Sequence, residues 1–389
     1  SQSIALEIIK FFSLNADNQQ QFTHYGLVFF TSDWEKPRFV EIPEGDALEA
    51  AFRERYADSV KTNFKGEDAD EEDDFNFLPD EAESLYELLW GPIAPVVKGY
   101  KKLYLSADGI YHELNPETLF NPETNQFVID EIEIQRLGSF KDLLLPQSEE
   151  TQNKSAVLVG MPNYQMGVEN QPNPQISPLP GTEQEVKQIA KSLQTQNWQV
   201  EALLAEQSTE EAVSAVKSPS LLHLSTHGFF YKNLEKPKLG KFLRLDRQQL
   251  AENPLFRSGL MLAGAERALS QAEIGAKEGL LTAYEVLNMD LTQTDLVVLS
   301  ACETGLGHQH GDEGVFGLQR AFLLAGAQSL IMSLWKVDDW ATQKLLTYFY
   351  DNWLKSGNKR QAFREAQLEL RKEHPAPYYW GAFVLVGKG

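Results

Sequence analysis

A mixed α/β fold, with a mostly parallel sheet flanked by helices, is predicted by three observations on this 389-residue sequence. Apolar runs such as Leu296–Leu299 are short and unbroken rather than alternating, as strands buried on both faces are. In the second half such runs alternate with segments of helical period, the β–α order of a parallel sheet. Several runs empty into loops that contain glycine, at the edge where open α/β sheets bind ligands.

The elements follow in order. In the first half, Ile4–Phe12, Tyr25–Ser32, Arg38–Ile42, Lys102–Ser106 and Phe127–Gln135 are β-branched or aromatic enough to be strands. Helices are expected over Ala47–Thr62 and Glu81–Val97. Residues Pro146–Lys154 (PQSEETQNK) are polar and rich in breakers, which places a domain boundary there and divides the chain into residues 1–150 and 151–389. In the second half the strands are Val157–Gly160, Val200–Ala205, Leu221–Ser225, Gly259–Ala263, Leu296–Leu299, Ser329–Leu334 and Phe383–Val386. Helices are expected over Thr182–Thr195, Ser208–Val216 (capped by Ser208 or Thr209), Glu313–Ala325, Thr342–Leu354 and Lys359–Lys372. In Glu313–Ala325, Val315, Leu318, Phe322 and Ala325 share one face, and Gly326 ends the helix. No internal repeat is visible, and the chain opens directly in strand-like sequence, as a domain cut from something longer would.

Composition narrows the function classes. With 42% hydrophobic residues the chain has material for a sizeable core. A net charge of −21 disfavours nucleic acid and anionic membrane surfaces as partners, since both reward Lys/Arg patches. Ten acidic and no basic residues fall between Glu67 and Glu83, which reads as a solvated loop. There is no signal peptide and no apolar run near the roughly 18 residues of a membrane span. One cysteine excludes a disulfide framework, so a cytoplasmic location is expected, with no cofactor and no metal.

That cysteine, Cys302, follows the apolar run Leu296–Leu299 and precedes Gly305 and Gly307. The run Leu221–Ser225 likewise delivers His227 beside Gly228. If these two strands are neighbours, a thiol and an imidazole arrive on one rim. Alone, a cysteine is a small buried hydrophobe and a strand-end histidine a satisfied polar group; the pairing turns both towards nucleophilic catalysis. The thiolate attacks a carbonyl, the imidazole moves the proton, and backbone N–H groups hold the oxyanion. Gly228 lets its N–H approach substrate closely, and the Cys302 N–H is the second donor. Other readings fail on spacing. His223 and His227 have zincin spacing without its glutamate and on a strand, where four residues span about 13 Å, so His223 is structural. His308, His310 and Asp312 lack a fourth ligand for a cation, and no Walker A or dinucleotide glycine pattern occurs.

The motifs around these residues resemble a known family. His223-Leu-Ser-Thr-His-Gly228, Leu299-Ser-Ala-Cys-Glu-Thr-Gly305, Gly311-Asp-Glu-Gly-Val-Phe-Gly-Leu-Gln-Arg-Ala-Phe-Leu-Leu-Ala-Gly-Ala327 and Ser333-Leu-Trp-Lys-Val-Asp-Asp339 look like the CHAT domain, a caspase-like and separase-like cysteine peptidase domain often found in prokaryotes. Pro377-Tyr-Tyr-Trp-Gly-Ala-Phe-Val-Leu-Val-Gly387 and Leu105-Ser-Ala-Asp-Gly-Ile-Tyr-His-Glu-Leu114 match as well, so the resemblance spans nearly the whole chain. It implies a caspase-like catalytic half behind a non-catalytic, pseudo-caspase-like α/β scaffold half. It implies a catalytic dyad of His227 and Cys302 with an oxyanion hole from Gly228 and Cys302. Related peptidases that cut after Arg or Lys place an acid in the S1 pocket. Asp338 or Asp339 fits that role or, equally, the cap of the helix near Ala341. Glu303 and Asp312 are further pocket candidates, with Asp312 also placed to cap the helix from Glu313. The family usually has proline where this chain has Lys336, at the edge of the expected pocket. The implied activity is selective cleavage of protein partners, gated by an upstream repeat or sensor region. The alternative is a latent interaction module of the same fold.

Overall fold

The computed structural model describes residues 2–15, 20–56, 85–144, 154–168, 175–230, 254–256, 258–271, 279–300, 314–335 and 338–388. They form two units, Ser1–Leu144 with His374–Gly381, and Leu145–Glu373 with Ala382–Gly389.

In the first unit β1 (Ser3–Leu14) pairs antiparallel with β2 (Gln21–Phe30), and β2 with β3 (Arg38–Ile42). On its other edge β1 runs parallel to β4 (Lys102–Ser106), a short hairpin of β5 (Phe120–Asn121) and β6 (Gln126–Phe127) follows, and β7 (Glu133–Leu137) runs parallel to β4. Leu6, Ile8, Tyr25, Leu27, Phe29, Leu103 and Leu105 fill the core of this mixed sheet. The helix expected from Ala47 begins as α1 (Gly45–Ala51) and passes into a π-helical turn, Phe52–Tyr56; the rest of that segment, with the acidic run, lies outside the described residues. Glu81–Val97 is not one helix: residues 85–89 are helical, a turn follows, and α2 (Ala94–Val97) resumes. Pro92 explains the break, because proline supplies no N–H and biases the preceding residue away from helix.

The strand expected over Phe127–Gln135 is also overturned. β6 ends at Phe127, α3 occupies Val128–Glu131, and β7 starts at Glu133. Val128, Ile129 and Ile132 are buried as a strand would bury them, but the Asp130 carboxylate accepts the Phe127 N–H at 3.2 Å and closes a helical turn. The Leu105–Leu114 motif serves the fold here. Asp108 accepts N–H groups of Lys10 and Gly109, both at 2.8 Å, and Gly109 (φ 56°) packs on the Tyr25 ring where a Cβ has no room. Burial pulls the nearby Arg136 guanidinium down to about 10, and it donates to the Leu114 and Tyr111 carbonyls.

The second unit introduces β8 (Ser155–Pro162), β9 (Gln199–Ala205), β10 (Leu221–Ser225), a small set β11 (Gly228–Phe230), β12 (Ser258–Met261) and β13 (Leu280–Thr282), then β14 (Leu296–Leu299), β15 (Ser329–Ser333) and β16 (Phe383–Gly387). Across its main sheet the order is β9-β8-β10-β14-β15-β16, parallel throughout except for β16. Every residue of β10, β14, β15 and β16 is buried, which is why these runs do not alternate. The helices are α4 (Pro180–Thr195), α5 (Glu210–Ser214), α6 (Ala265–Gln271), α7 (Ala283–Val286), α8 (Gly314–Leu324), α9 (Asp339–Ser356) and α10 (Lys359–Glu373). β12 departs from expectation. It leaves the parallel sheet and pairs antiparallel between β11 and β13, where Gly259 has no space for a side chain: a Cβ would lie 2.7 Å from the Phe229 ring.

Helix α4 sits unusually close to the sheet at Gly160. A Cβ there would lie 2.7 Å from Val186 Cγ2 and 2.9 Å from the Thr182 carbonyl. Gly160→Ala is therefore expected to lower unfolding stability by about 1–3 kcal/mol, the cost of overpacking. A urea midpoint equal to that of the parent chain would refute the close approach.

Candidate active site

β10 and β14 are direct neighbours. Leu221 pairs with Leu296 and Leu224 with Leu299, and the Ser300 N–H continues the ladder to the Leu224 carbonyl at 3.0 Å. Parallel strands end on the same rim, so the end of β10, two residues before His227 in the sequence, lies beside the end of β14, three residues before Cys302 in the sequence. Cys302 itself, with Glu303, His308, His310, Asp312 and Lys336, lies outside the described residues. β15 is the next strand beyond β14, and it leads to Asp338 and Asp339.

His227 is half-buried and held from several sides. Its N–H meets Tyr164 Oη at 3.3 Å, its carbonyl accepts the Met261 N–H at 2.8 Å, and its ring lies 5.4 Å from that of Tyr164, tilted 40°. Tyr164 is fully buried, with Oη 2.9 Å from Thr226 Oγ1, whose hydroxyl reaches the Met261 carbonyl. Burial raises the Tyr164 phenol above its usual range, against the pull of its bonds to Thr226 and His227, so it stays an intact hydroxyl. His227 Nε2 lies 2.8 Å from the Ser177 carbonyl. A carbonyl only accepts, so Nε2 carries the proton, and in the neutral ring Nδ1 is left as the base.

Gly228 begins β11. The Met261 N–H to His227 carbonyl bond puts the 227/261 pair in the hydrogen-bonded class of the antiparallel ladder. Such pairs alternate, so Gly228, opposite Leu260, directs its N–H away from β12. An oxyanion donor needs that orientation.

Of the two aspartates, Asp338 is the N-cap of α9, accepting the Trp340 N–H at 2.7 Å, and Asp339 is exposed in the first turn. The capping role thus belongs to Asp338, and it occupies one of that residue's carboxylate oxygens.

His223 is wholly buried below the rim. Nε2 lies 2.8 Å from Glu185 Oε1 of α4, and Nδ1 lies 2.9 Å from Tyr350 Oη of α9. The other Glu185 oxygen accepts from Ser300 Oγ at 3.2 Å. This network ties the strands that carry the two candidate catalytic residues to the helices covering one face of the sheet. Burial, and then the Glu185 charge, push the Tyr350 phenol well above its usual range, so it stays an intact hydroxyl beside Nδ1. Sequence reasoning missed Tyr164, Ser177, Glu185 and Tyr350. For Glu185 a signal existed: it shares the face of α4 with Val186, Ile189 and Leu193, and a carboxylate on a buried stripe demands a partner. Ser177 acts through its backbone, which no residue type announces.

Among the described residues no cluster of three or more His, Cys, Asp or Glu side chains is placed to hold a metal ion, and no helix is long and apolar enough to cross a membrane.

A family profile described as the CHAT domain matches residues 79–388. Tetratricopeptide repeat protein 28 of Homo sapiens is 24% identical over 335 residues, which is 78% of this chain and 13% of that protein. Its Mus musculus counterpart is 34% identical over 113 residues, 28% of this chain and 4% of that protein. The chain thus spans only a small part of these relatives. Among solved structures, the Arg-specific cysteine proteinase gingipain R is similar at 11% identity and a TM-score of 0.43, over 88% of this chain and 75% of that one. A Saccharomyces cerevisiae separase–securin complex is similar at 10% identity and a TM-score of 0.48, over 99% of this chain and 30% of that one.

Proposed function

The chain belongs to the CHAT-domain family, and from that premise we propose that it is a cysteine endopeptidase that cleaves specific protein partners through His227 and Cys302. The observation that supports this most is the adjacency of β10 and β14, with His227 Nε2 spent on the Ser177 carbonyl. Nδ1 of the neutral ring takes the proton of the Cys302 thiol. The thiolate adds to the scissile carbonyl, and the oxyanion receives the N–H groups of Gly228 and Cys302. His227 then returns its proton to the leaving amine as the C–N bond breaks, and water, deprotonated by the same ring, releases the acyl group from sulfur. A reducing cytoplasm keeps the lone thiol free for this role.

A basic P1 residue is favoured, with Asp338 or Asp339 as its counter-charge and Glu303 and Asp312 as further candidates. Asp338→Asn separates the two roles of that residue, since asparagine caps a helix as well as aspartate does. The variant is expected to keep the parent melting temperature and lose its preference for Arg and Lys at P1. An unchanged P1 profile, read with a peptide library, removes Asp338 from the pocket. Gating by an upstream repeat or sensor region belongs to the same proposal, and the name of the human relative, a tetratricopeptide repeat protein, supports the presence of repeats.

The reading is tested by incubating a proteome with the parent chain and with Cys302→Ala, with and without any upstream region, and mapping new N-termini. If no N-terminus depends on Cys302, the activity is absent and the chain is an interaction module of the same fold.

A further inference from the structure

The Ser177 carbonyl that takes the His227 proton is itself held in place. The carboxylate of Glu266, in the first turn of α6, is wholly buried and accepts two consecutive backbone N–H groups, Gln175 to Oε1 and Ile176 to Oε2, both at 2.9 Å. Gln165 Nε2 donates to the Ile176 carbonyl at 2.9 Å, on the other side of the same residue. Ile176 is buried in an apolar cluster with Tyr164, Phe229, Ala265 and Leu280. The next carbonyl along is that of Ser177, 2.8 Å from His227 Nε2.

The connection closes on itself. The Glu266 N–H donates to the Tyr164 carbonyl at 3.0 Å, and Tyr164 Oη receives the His227 N–H at 3.3 Å. One buried carboxylate therefore stands at the junction of the segment that orients the imidazole ring and the tyrosine that supports its backbone. A buried carboxylate is costly unless fully hydrogen-bonded, and here its oxygens go to the main-chain N–H groups of the two residues directly before Ser177.

We infer that Glu266 is a positioning residue for catalysis: by clamping Gln175 and Ile176 it aims the Ser177 carbonyl at His227 Nε2, fixes the proton there, and keeps Nδ1 free as the base. This rests on the assignment of His227 as the catalytic base. Loss of the clamp leaves the 175–177 segment free to shift. The ring then distributes its proton between both nitrogens, and only a fraction of molecules presents a basic Nδ1.

The test is Glu266→Gln, whose amide has one acceptor oxygen for the two N–H groups and turns an NH2 towards the other. Long-range proton–nitrogen spectra at pH about 8.5, above the ordinary histidine pKa of ~6.5, read the tautomer of His227, assigned by its loss in His227→Gln. The parent chain shows the Nε2–H form, and Glu266→Gln a mixture. Alongside, kcat falls by about 10- to 100-fold with KM within about twofold, a smaller loss than the roughly 10⁴-fold seen when a directly bonded orienting group is exchanged. A variant that keeps the parent tautomer overturns the proposal. Because the spectrum needs no substrate, it judges the clamp even if Cys302-dependent cleavage is never found, so the two readings fail separately. Should Glu266→Gln not fold, Glu266→Asp keeps the charge and draws the carboxylate back from the Gln175 and Ile176 N–H groups by the length of a methylene. The same shift in tautomer supports the clamp, and the parent ratio overturns it.

Discussion

His227→Ala lowers kcat/KM for a cleaved peptide by about three orders of magnitude while the chain remains folded. Positioned general acid–base catalysis is worth about 10²–10⁴-fold, and in the proposed mechanism the same ring serves both thiol activation and leaving-group protonation. The fold has little stake in the side chain: among the described residues the ring makes one hydrogen bond, to the Ser177 carbonyl, and one aromatic contact, with Tyr164. Their loss costs about 1–2 kcal/mol at a half-buried position. Cys302→Ala, which removes the proposed nucleophile, is expected to reduce cleavage to the uncatalysed background. Both are measured on a fluorogenic peptide built from a mapped cleavage site, with melting temperatures recorded in parallel. A His227→Ala rate within tenfold of the parent would falsify the dyad.

His223→Ala produces the largest expected loss of stability, about 3–5 kcal/mol, because it removes one partner of a buried hydrogen-bonded pair and leaves the buried Glu185 carboxylate short of a donor. Tyr350 loses its acceptor at the same time, and a cavity opens between β10 and the helices α4 and α9. The double replacement Glu185→Leu with His223→Leu recovers most of this, since replacing both partners of a buried polar pair by well-packed apolar groups is often nearly neutral. Urea unfolding with a constant m-value measures both. If His223→Ala stays within about 0.5 kcal/mol of the parent, the network does not hold the sheet to its helices.

The comparison of His223 with His227 shows where sequence reasoning succeeds. Both occur in one six-residue motif, and strand geometry alone separates them: four residues along, one is wholly buried and the other is at the rim. The short, mostly apolar runs Leu221–Leu224, Leu296–Leu299 and Ser329–Ser333 were legible for the same reason, since burial on both faces removes alternation. The failures share a cause too. Phe127–Gln135 carries a strand's residue types, yet one side-chain-to-backbone bond from Asp130 turns its centre into helix. Gly259–Ala263 carries a core strand's residues, yet a backbone bond from Met261 to His227 recruits it into a different sheet.

The sequence by itself determined the chemistry on offer: one thiol, a histidine beside a glycine, and the two apolar runs that deliver them to loops. Local pattern suffices for this, because periodicity and turn residues act within a few positions. Only the tertiary structure decided that β10 and β14 lie side by side, that the imidazole proton rests on a carbonyl 50 residues upstream, and that Glu266, about 90 residues further along the chain, grips the two residues before that carbonyl. Such contacts arise from packing between distant segments. Their donors and acceptors are largely backbone groups that every residue carries, so no choice of side chain records them.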